Sequence, residues 1–522
     1  MKKAALFPVV LVLSFPSSAT AQTLGKYTND GSNVVWFIQT SDTHINSTGL
    51  VGWYPDSLPW ALGECAQNVN PLFIVVTGDL TDHTCGSLGS YLGAPCDEEW
   101  EEYRQILDDH GMTPDFYFDV PGNHDAYGEG ALSHYLKYSV QGADTNSTQQ
   151  SWRVDFPQQS LHFFSVATPG NDGAQWPFDN VEFTSGEIDE VNAFLQANSD
   201  AEFQMGFGHH DYKNAKKASD MDGLFQQYKV NYYSHGHNHD LKLTVENDNV
   251  LRFRIDALGQ SKGDNLAIWA LDNLAATVNI FDARSGWPKV VITAPADQEI
   301  DWGGKVRNPH NAPVPKSCTE APVRALVFDP QSVLSASFSV DNGNAVPMTP
   351  RQSNPFQWRG KFDATALSVG KHTVTVETTA SASASATNEF FVEDVACDLG
   401  PEDPDVPPTD GGTSDAAGQS DGGTMDAGAM EDGGTTDEGT QDDGTTDAGV
   451  ADDAIVVAED AATAEDEGSV DDGSVGPGDS GPAKDDAGAH SGADVGWLEK
   501  PDEGAAGQAG AEAGCSCAAV GF

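Results

Sequence analysis

The chain has 522 residues and a net charge of −54, with 80 Asp and Glu against 26 Lys and Arg. That balance excludes nucleic-acid packaging and polybasic docking on anionic membranes, because both need a cationic surface that displaces counterions from phosphate. The excess is uneven: from Pro401 to Phe522, 31 acidic residues face two lysines among Gly, Ala, Thr and Ser, a composition that cannot bury enough apolar surface to offset chain entropy.

In chain order, the first predicted element is a signal peptide over residues 1–21. Lys2 and Lys3 precede an apolar run from Ala4 to Phe15, and Ala19-Thr20-Ala21 supplies the small residues that cleavage requires. No later segment reaches the roughly 18 consecutive apolar residues of a membrane helix. The expected mature chain is therefore secreted, periplasmic or at the cell surface, with no transmembrane segment.

Across residues 33–300, short apolar runs alternate with helix-like stretches, the pattern of an α/β layer fold. Val34–Ile38, Leu72–Val76, Phe116–Val120, Phe203–Phe207 and Val230–Tyr233 read as strands. Asp97–Asp108 and Ser185–Ala197 read as helices, the second capped by Ser185. Further strands at Leu251–Ile255, Ala267–Leu271, Ala276–Phe281 and Lys289–Thr293 are expected to complete the layers of the same domain.

Asn308–Lys316 reads as a linker. Beyond it the apolar period becomes two, with Leu334, Ala336, Phe338 and Val340 alternating with serines, so residues 318–397 are predicted to form an all-β, immunoglobulin-like sandwich. Residues 400–522 read as an acidic, low-complexity, disordered tail. It is taken as a solvated spacer because its Asp-Gly units keep neither the period of a calcium β-roll nor the spacing of an EF-hand loop. Of the seven cysteines, Cys85 with Cys96 and Cys318 with Cys397 are candidate disulfides in an oxidising compartment, while Cys65, Cys515 and Cys517 stay unassigned.

Five polar clusters each follow a predicted strand: Asp42-Thr43-His44, Gly78-Asp79-Leu80-Thr81-Asp82, Gly122-Asn123-His124-Asp125, Gly208-His209-His210-Asp211 and Gly236-His237-Asn238-His239. Groups at the carboxyl ends of strands in open α/β sheets meet in one crevice. Carboxylate, imidazole and amide donors gathered there form a mixed ligand set suited to Zn, Mn, Fe or Co. The remaining histidines, His83, His110, His134, His162, His310, His372 and His490, are assigned ordinary structural roles.

In this order the clusters resemble the calcineurin-like metallophosphoesterase superfamily, in the branch where that domain is followed by a β-sandwich. The resemblance implies a β-sandwich flanked by helices and a centre of two divalent or trivalent cations, Fe, Mn, Zn or Co. Carried over, the first would be held by Asp42, His44, Asp79 and His239, and the second by Asp79, Asn123, His209 and His237. His209 and His210 stay alternatives for that position, with His209, directly after Gly208, preferred. His235 is read as supporting the last cluster. Asp82 stands where the purple acid phosphatase branch has a tyrosine ligand, so no charge-transfer colour is expected.

The implied reaction is hydrolysis of a small phosphate mono- or diester by a hydroxide held between the cations, with His124 as proton donor to the leaving group and Asp125 orienting it. The alternative is a surface-displayed binding or adhesion protein that uses the domain as a scaffold. Gly514-Cys515-Ser516-Cys517 resembles the cysteine motif opening the sorting segment of some bacterial surface proteins, which implies cell-surface attachment through the tail.

Overall fold

The computed structural model describes residues 33–46, 53–82, 96–127, 132–156, 159–169, 181–260, 264–283, 285–302 and 305–398. The expected signal peptide, acidic tail and terminal cysteine motif lie outside these residues, as does Cys85.

The strands of the first domain are β1 (Val34–Thr40), β2 (Ile74–Thr77), β3 (Tyr117–Val120), β4 (Ser151–Phe156), β5 (Gln159–Ser165), β6 (Phe203–Phe207), β7 (Tyr232–His235), β8 (Lys242–Val245), β9 (Leu251–Arg254), β10 (Asn265–Asp272) and β11 (Ala275–Asp282). They form two sheets. One runs β11-β10-β1-β2-β3 and the other β4-β5-β6-β7-β9-β8. Within them β1, β2 and β3 are mutually parallel, as are β5, β6, β7 and β9. β1 is buried along its whole length, which suits an unbroken apolar run covered on both faces. Phe37 of β1 joins the sheets: its ring stacks on Phe73 (4.6 Å between centroids) and Trp269 (6.0 Å) and meets Phe163 and Phe207 edge-on.

The helices are α1 (Ser57–Trp60), α2 (Ala66–Val69), α3 (Asp97–Asp109), α4 (Asn123–Ala126), α5 (Ser133–Tyr138), α6 (Val140–Thr145), α7 (Ser185–Ala197) and α8 (Ala218–Tyr228), with a π turn at Ala61–Cys65 between the first two. Val191 and Leu195 of α7 pack with Met221 and Phe225 of α8 against Phe164 and Tyr233 of the second sheet. The cap of α7 is Thr184, not Ser185. Its hydroxyl accepts from Glu187 N–H at 3.2 Å, and the Glu187 carboxylate accepts from Thr184 N–H at 2.7 Å, a reciprocal capping box. No helix among the described residues is long and apolar enough to cross a membrane.

The β-rich region that follows starts earlier than the sequence predicts. Its strands are β12 (Lys289–Ala294), β13 (Glu299–Asp301), β14 (Lys305–Arg307), β15 (Val314–Pro315), β16 (Ala321–Phe328), β17 (Ser335–Val340), β18 (Val346–Pro347), β19 (Thr349–Pro350), β20 (Gln357–Phe362), β21 (Gly370–Thr379) and β22 (Ser383–Glu393). β12 pairs antiparallel with β16 in a sheet of order β12-β16-β20-β19. Lys289–Thr293, expected to complete the layers of the first domain, instead forms a strand of the second layer system. An apolar strand covered on both faces carries no mark of which sheet it joins.

The facing sheet runs β15-β22-β21-β17-β18. Val290, Ile292, Phe338, Trp358, Val374 and Phe390 fill the space between. A disulfide joins Cys318 to Cys397. Cys96 is also disulfide-bonded, and Cys65 is a buried free thiol that burial pushes up to about 12. The β-rich region packs on the first domain through Phe328 and Phe356, which flank Trp36. A bidentate ion pair from Arg324 to Asp272, 2.7 and 2.8 Å, adds to that contact.

Candidate metal centre

Each of the five clusters begins within a few residues of a strand's end: Asp42 after β1, Asp79 after β2, Asn123 after β3, His209 after β6 and His237 after β7. Tight turns put the side chains where they are. Asp42, His44, Asp79, His237 and His239 all have positive φ, between 43° and 78°, a strained state for residues with a Cβ that concentrates at functional sites. Two glycines permit the close approaches. A Cβ on Gly78, at φ +90°, would overlap the His209 ring, and one on Gly122 would overlap the backbone and carboxylate of Asp79.

Asp79 is the hub. Its Oδ2 lies 3.0 Å from His209 Nε2, 3.7 Å from His44 Nε2 and 4.0 Å from His124 Nε2. Its Oδ1 accepts the His124 backbone N–H at 2.9 Å. On one side, Asp42 Oδ1 is 3.0 Å from His239 Nε2 and 3.8 Å from His44 Nε2, and the two histidine nitrogens are 3.2 Å apart. On the other, Asn123 Oδ1 is 3.1 Å from His237 Nδ1, and the rings of His209 and His237 are 5.2 Å apart. All seven residues carried over as ligands thus gather in two groups that share Asp79.

The donor set fits cations on chemical grounds. His209 Nδ1 faces the Thr77 carbonyl at 2.8 Å and His44 Nδ1 faces an Asp82 carboxylate oxygen at 2.9 Å. Each acceptor holds the proton on Nδ1 and leaves Nε2 with a lone pair aimed at the carboxylates. Lone pairs facing one another at such distances require positive charge between them. Without metal, protons must supply it: burial opposes charging His209, yet Asp79 and Asp42 lift it to about 9. His44 is raised well above its ordinary value against the same penalty, by Asp42, Asp82 and Asp79. Burial likewise disfavours the Asp42 carboxylate, but His239 and His209 hold it well below the usual range. Asp79 is depressed too, by His209 and His124 in the face of burial. Such a donor set fits cations, which would take the place of those protons.

Asp125 does not orient His124, contrary to the sequence expectation. It is the third residue of α4, so its carboxylate turns back over the helix N-terminus and accepts from Gly122 N–H at 2.7 Å. It also takes Leu80 N–H and Thr81 N–H, both at 3.1 Å. Burial and the Asp79 charge push it up to about 7. His124 is held instead by Asp82: Nδ1 donates to the Asp82 carbonyl at 2.9 Å and lies 3.6 Å from its carboxylate.

Two supporting residues, Tyr127 and Gln260, carry no sequence signal. Tyr127 Oη accepts from Asn123 Nδ2 at 2.9 Å, which turns the amide oxygen toward His237, and Gln260 Nε2 donates to Asp82 Oδ1 at 3.2 Å. Asp211 caps the turn at Lys213 N–H, 3.1 Å away. His235 is buried, with Nδ1 bonded to the Gly236 carbonyl. Among the histidines given structural roles, His110, His134, His162, His310 and His372 bond to Ile106, Asp97, Gln204, Asn249 and Asp341. His83 and His490 lie outside the described residues.

The calcineurin-like phosphoesterase family matches residues 35–241, the span that holds both groups. The chain is 25% identical over 363 residues to transmembrane protein 62 of Mus musculus, covering 67% of this chain and 53% of that protein. It is 22% identical over 230 residues to a protein of Arabidopsis thaliana named as a metallophosphoesterase, covering 40% and 30%. The chain thus spans about half the length of the mouse relative and under a third of the plant one. Among solved structures, a dimetal phosphatase from Danio rerio superposes with a TM-score of 0.39 at 13% identity, covering 48% of this chain and 96% of that one. Residues 35–241 are a calcineurin-like phosphoesterase domain, and the chain is an α/β metallophosphoesterase core followed by a β-rich region.

Proposed function

We propose that this protein is an exported phosphoesterase that hydrolyses a phosphate mono- or diester at a centre of two cations. The observation that carries this reading is the position of Asp79 Oδ2 between the two ligand groups. Asp42, His44, Asp79 and His239 would hold one cation, and Asp79, Asn123, His209 and His237 the other. Bound there, such a pair supplies a nucleophile from water at neutral pH and polarises a phosphoryl oxygen.

The chain's own residues prepare the rest. Thr77 and Asp82 fix the tautomers of His209 and His44, and Tyr127 fixes the face that Asn123 presents. His124 is the ring left for proton transfer. Its Nδ1 is held by the Asp82 carbonyl, so Nε2 faces the pocket. Carrying a second proton there makes it an imidazolium facing the Asp82 and Asp79 carboxylates, placed to give that proton to the departing alkoxide. The Cys318–Cys397 disulfide supports export, since such bonds persist in oxidising compartments.

The test is hydrolysis of a chromogenic phosphomonoester and a chromogenic phosphodiester by purified protein. Asp79→Ala and His237→Ala should each abolish turnover while circular dichroism stays unchanged. Full activity in both variants would reject the site.

A further inference from the structure

His210 is buried beside the centre and is not used by the reading above. Its ring lies 4.2 Å from that of His237 and 4.8 Å from that of His209. A nitrogen from each of the three falls within one cluster of 4.8 Å. Nδ1 of His210 is 2.9 Å from Thr168 Oγ1, and Nε2 is buried with no hydrogen-bond partner among the described residues.

The tautomer follows from counting protons. Thr168 is fully buried, and its hydroxyl oxygen already accepts the His210 backbone N–H at 3.1 Å. A buried hydroxyl proton needs an acceptor. Among the described residues, the one on offer is His210 Nδ1. That nitrogen therefore carries the lone pair, and Nε2 carries the hydrogen. His209 is the mirror case, because a carbonyl can only accept: its Nδ1 bears the hydrogen and Nε2 the lone pair. Two adjacent histidines thus present opposite chemistry, one a ligand and the other a donor that cannot coordinate a cation.

We propose that His210 is a substrate-contacting residue whose Nε2–H donates a hydrogen bond to a non-bridging phosphoryl oxygen on the His209–His237 side of the centre. This rests on the phosphoesterase reading. It gives the unpartnered donor an anionic acceptor, the kind of hydrogen bond that is strongest.

The test has two arms. In metal-free protein labelled with nitrogen-15 in histidine, His210 should show a protonated Nε2 and an unprotonated Nδ1; the reverse tautomer would overturn the proposal whatever the metals do. In metal-loaded protein, the probe is inorganic phosphate. His210→Leu should keep the wild-type metal content by elemental analysis but weaken phosphate binding about tenfold or more. His210→Gln, which keeps a donor, should recover most of the affinity, and Thr168→Val should weaken it. A fall in metal content on His210→Leu would make His210 a ligand, and unchanged phosphate affinity would make it structural; either result overturns the proposal. Wild-type protein that binds no metal pair would instead reject the underlying reading, and the tautomer arm would still decide His210.

Discussion

Asp82 and His44 are joined at 2.9 Å, carboxylate to Nδ1, with both side chains buried, and the same carboxylate oxygen also receives Gln260. A carboxylate behind a ligating imidazole fixes its tautomer and raises its basicity, and removing such partners typically costs ~10–100-fold in metal affinity. Asp82→Ala should therefore lower affinity for one of two cations by that factor, as read by competition with a chelator. Asp82→Asn keeps an acceptor and should recover most of it. Equal affinity in Asp82→Ala would show that the contact does not support the ligand.

Asp125 makes the contrasting prediction. Its carboxylate satisfies three main-chain N–H groups, and leaving buried donors unpaired costs about 1–3 kcal/mol each. Asp125→Ala should lower the free energy of unfolding in urea by about 3 kcal/mol or more. A variant of wild-type stability whose activity has merely shifted with pH would restore the orienting role that the sequence suggested.

The pair between Asp272 and Arg324 ties β10 to β16, with the Asp272 side chain 1% exposed. Breaking a buried pair from one side costs about 3–5 kcal/mol because the remaining charge is stranded. Arg324→Ala should destabilise by that order, and the double variant Asp272→Ala, Arg324→Ala by less than Arg324→Ala alone. Chemical denaturation of the three proteins checks the order.

Asp119 gives a pH dependence away from the cations. It is fully buried and accepts from Val140 N–H, Gln141 N–H and Tyr103 Oη, yet burial outweighs these donors and pushes it up to about 6 from 3.8. The folded state therefore binds this proton more tightly than the unfolded chain. The stability it contributes is complete below about pH 3.8 and is lost as pH rises through about 6, a change of about 3 kcal/mol. The stability advantage of wild type over Asp119→Asn should shrink across that window. An advantage that is flat or grows with pH would contradict the shift.

Motifs at strand ends were legible because a ligand set needs particular side chains, and Asp42, His44, Asp79 and Asn123 declare themselves by type. What fixes their geometry did not: the positive φ of Asp42, His44, Asp79, His237 and His239 and the reach of Tyr127 and Thr168 leave no mark in residue type. Asp125 was misread because adjacency in sequence suggests contact with His124, whereas the first turn of α4 sends its carboxylate to Gly122 instead. Helices such as α3 and α7 are amphipathic and appear at their predicted positions. β12 was placed in the wrong sheet because strand pairing is a long-range choice.

The most direct measurement is anomalous diffraction from crystals of the metal-loaded protein, collected at the absorption edge of the ion found by elemental analysis. Two peaks roughly 3.5–4 Å apart, both next to Asp79, are the result the account predicts. A single peak, or none, at full loading would contradict it.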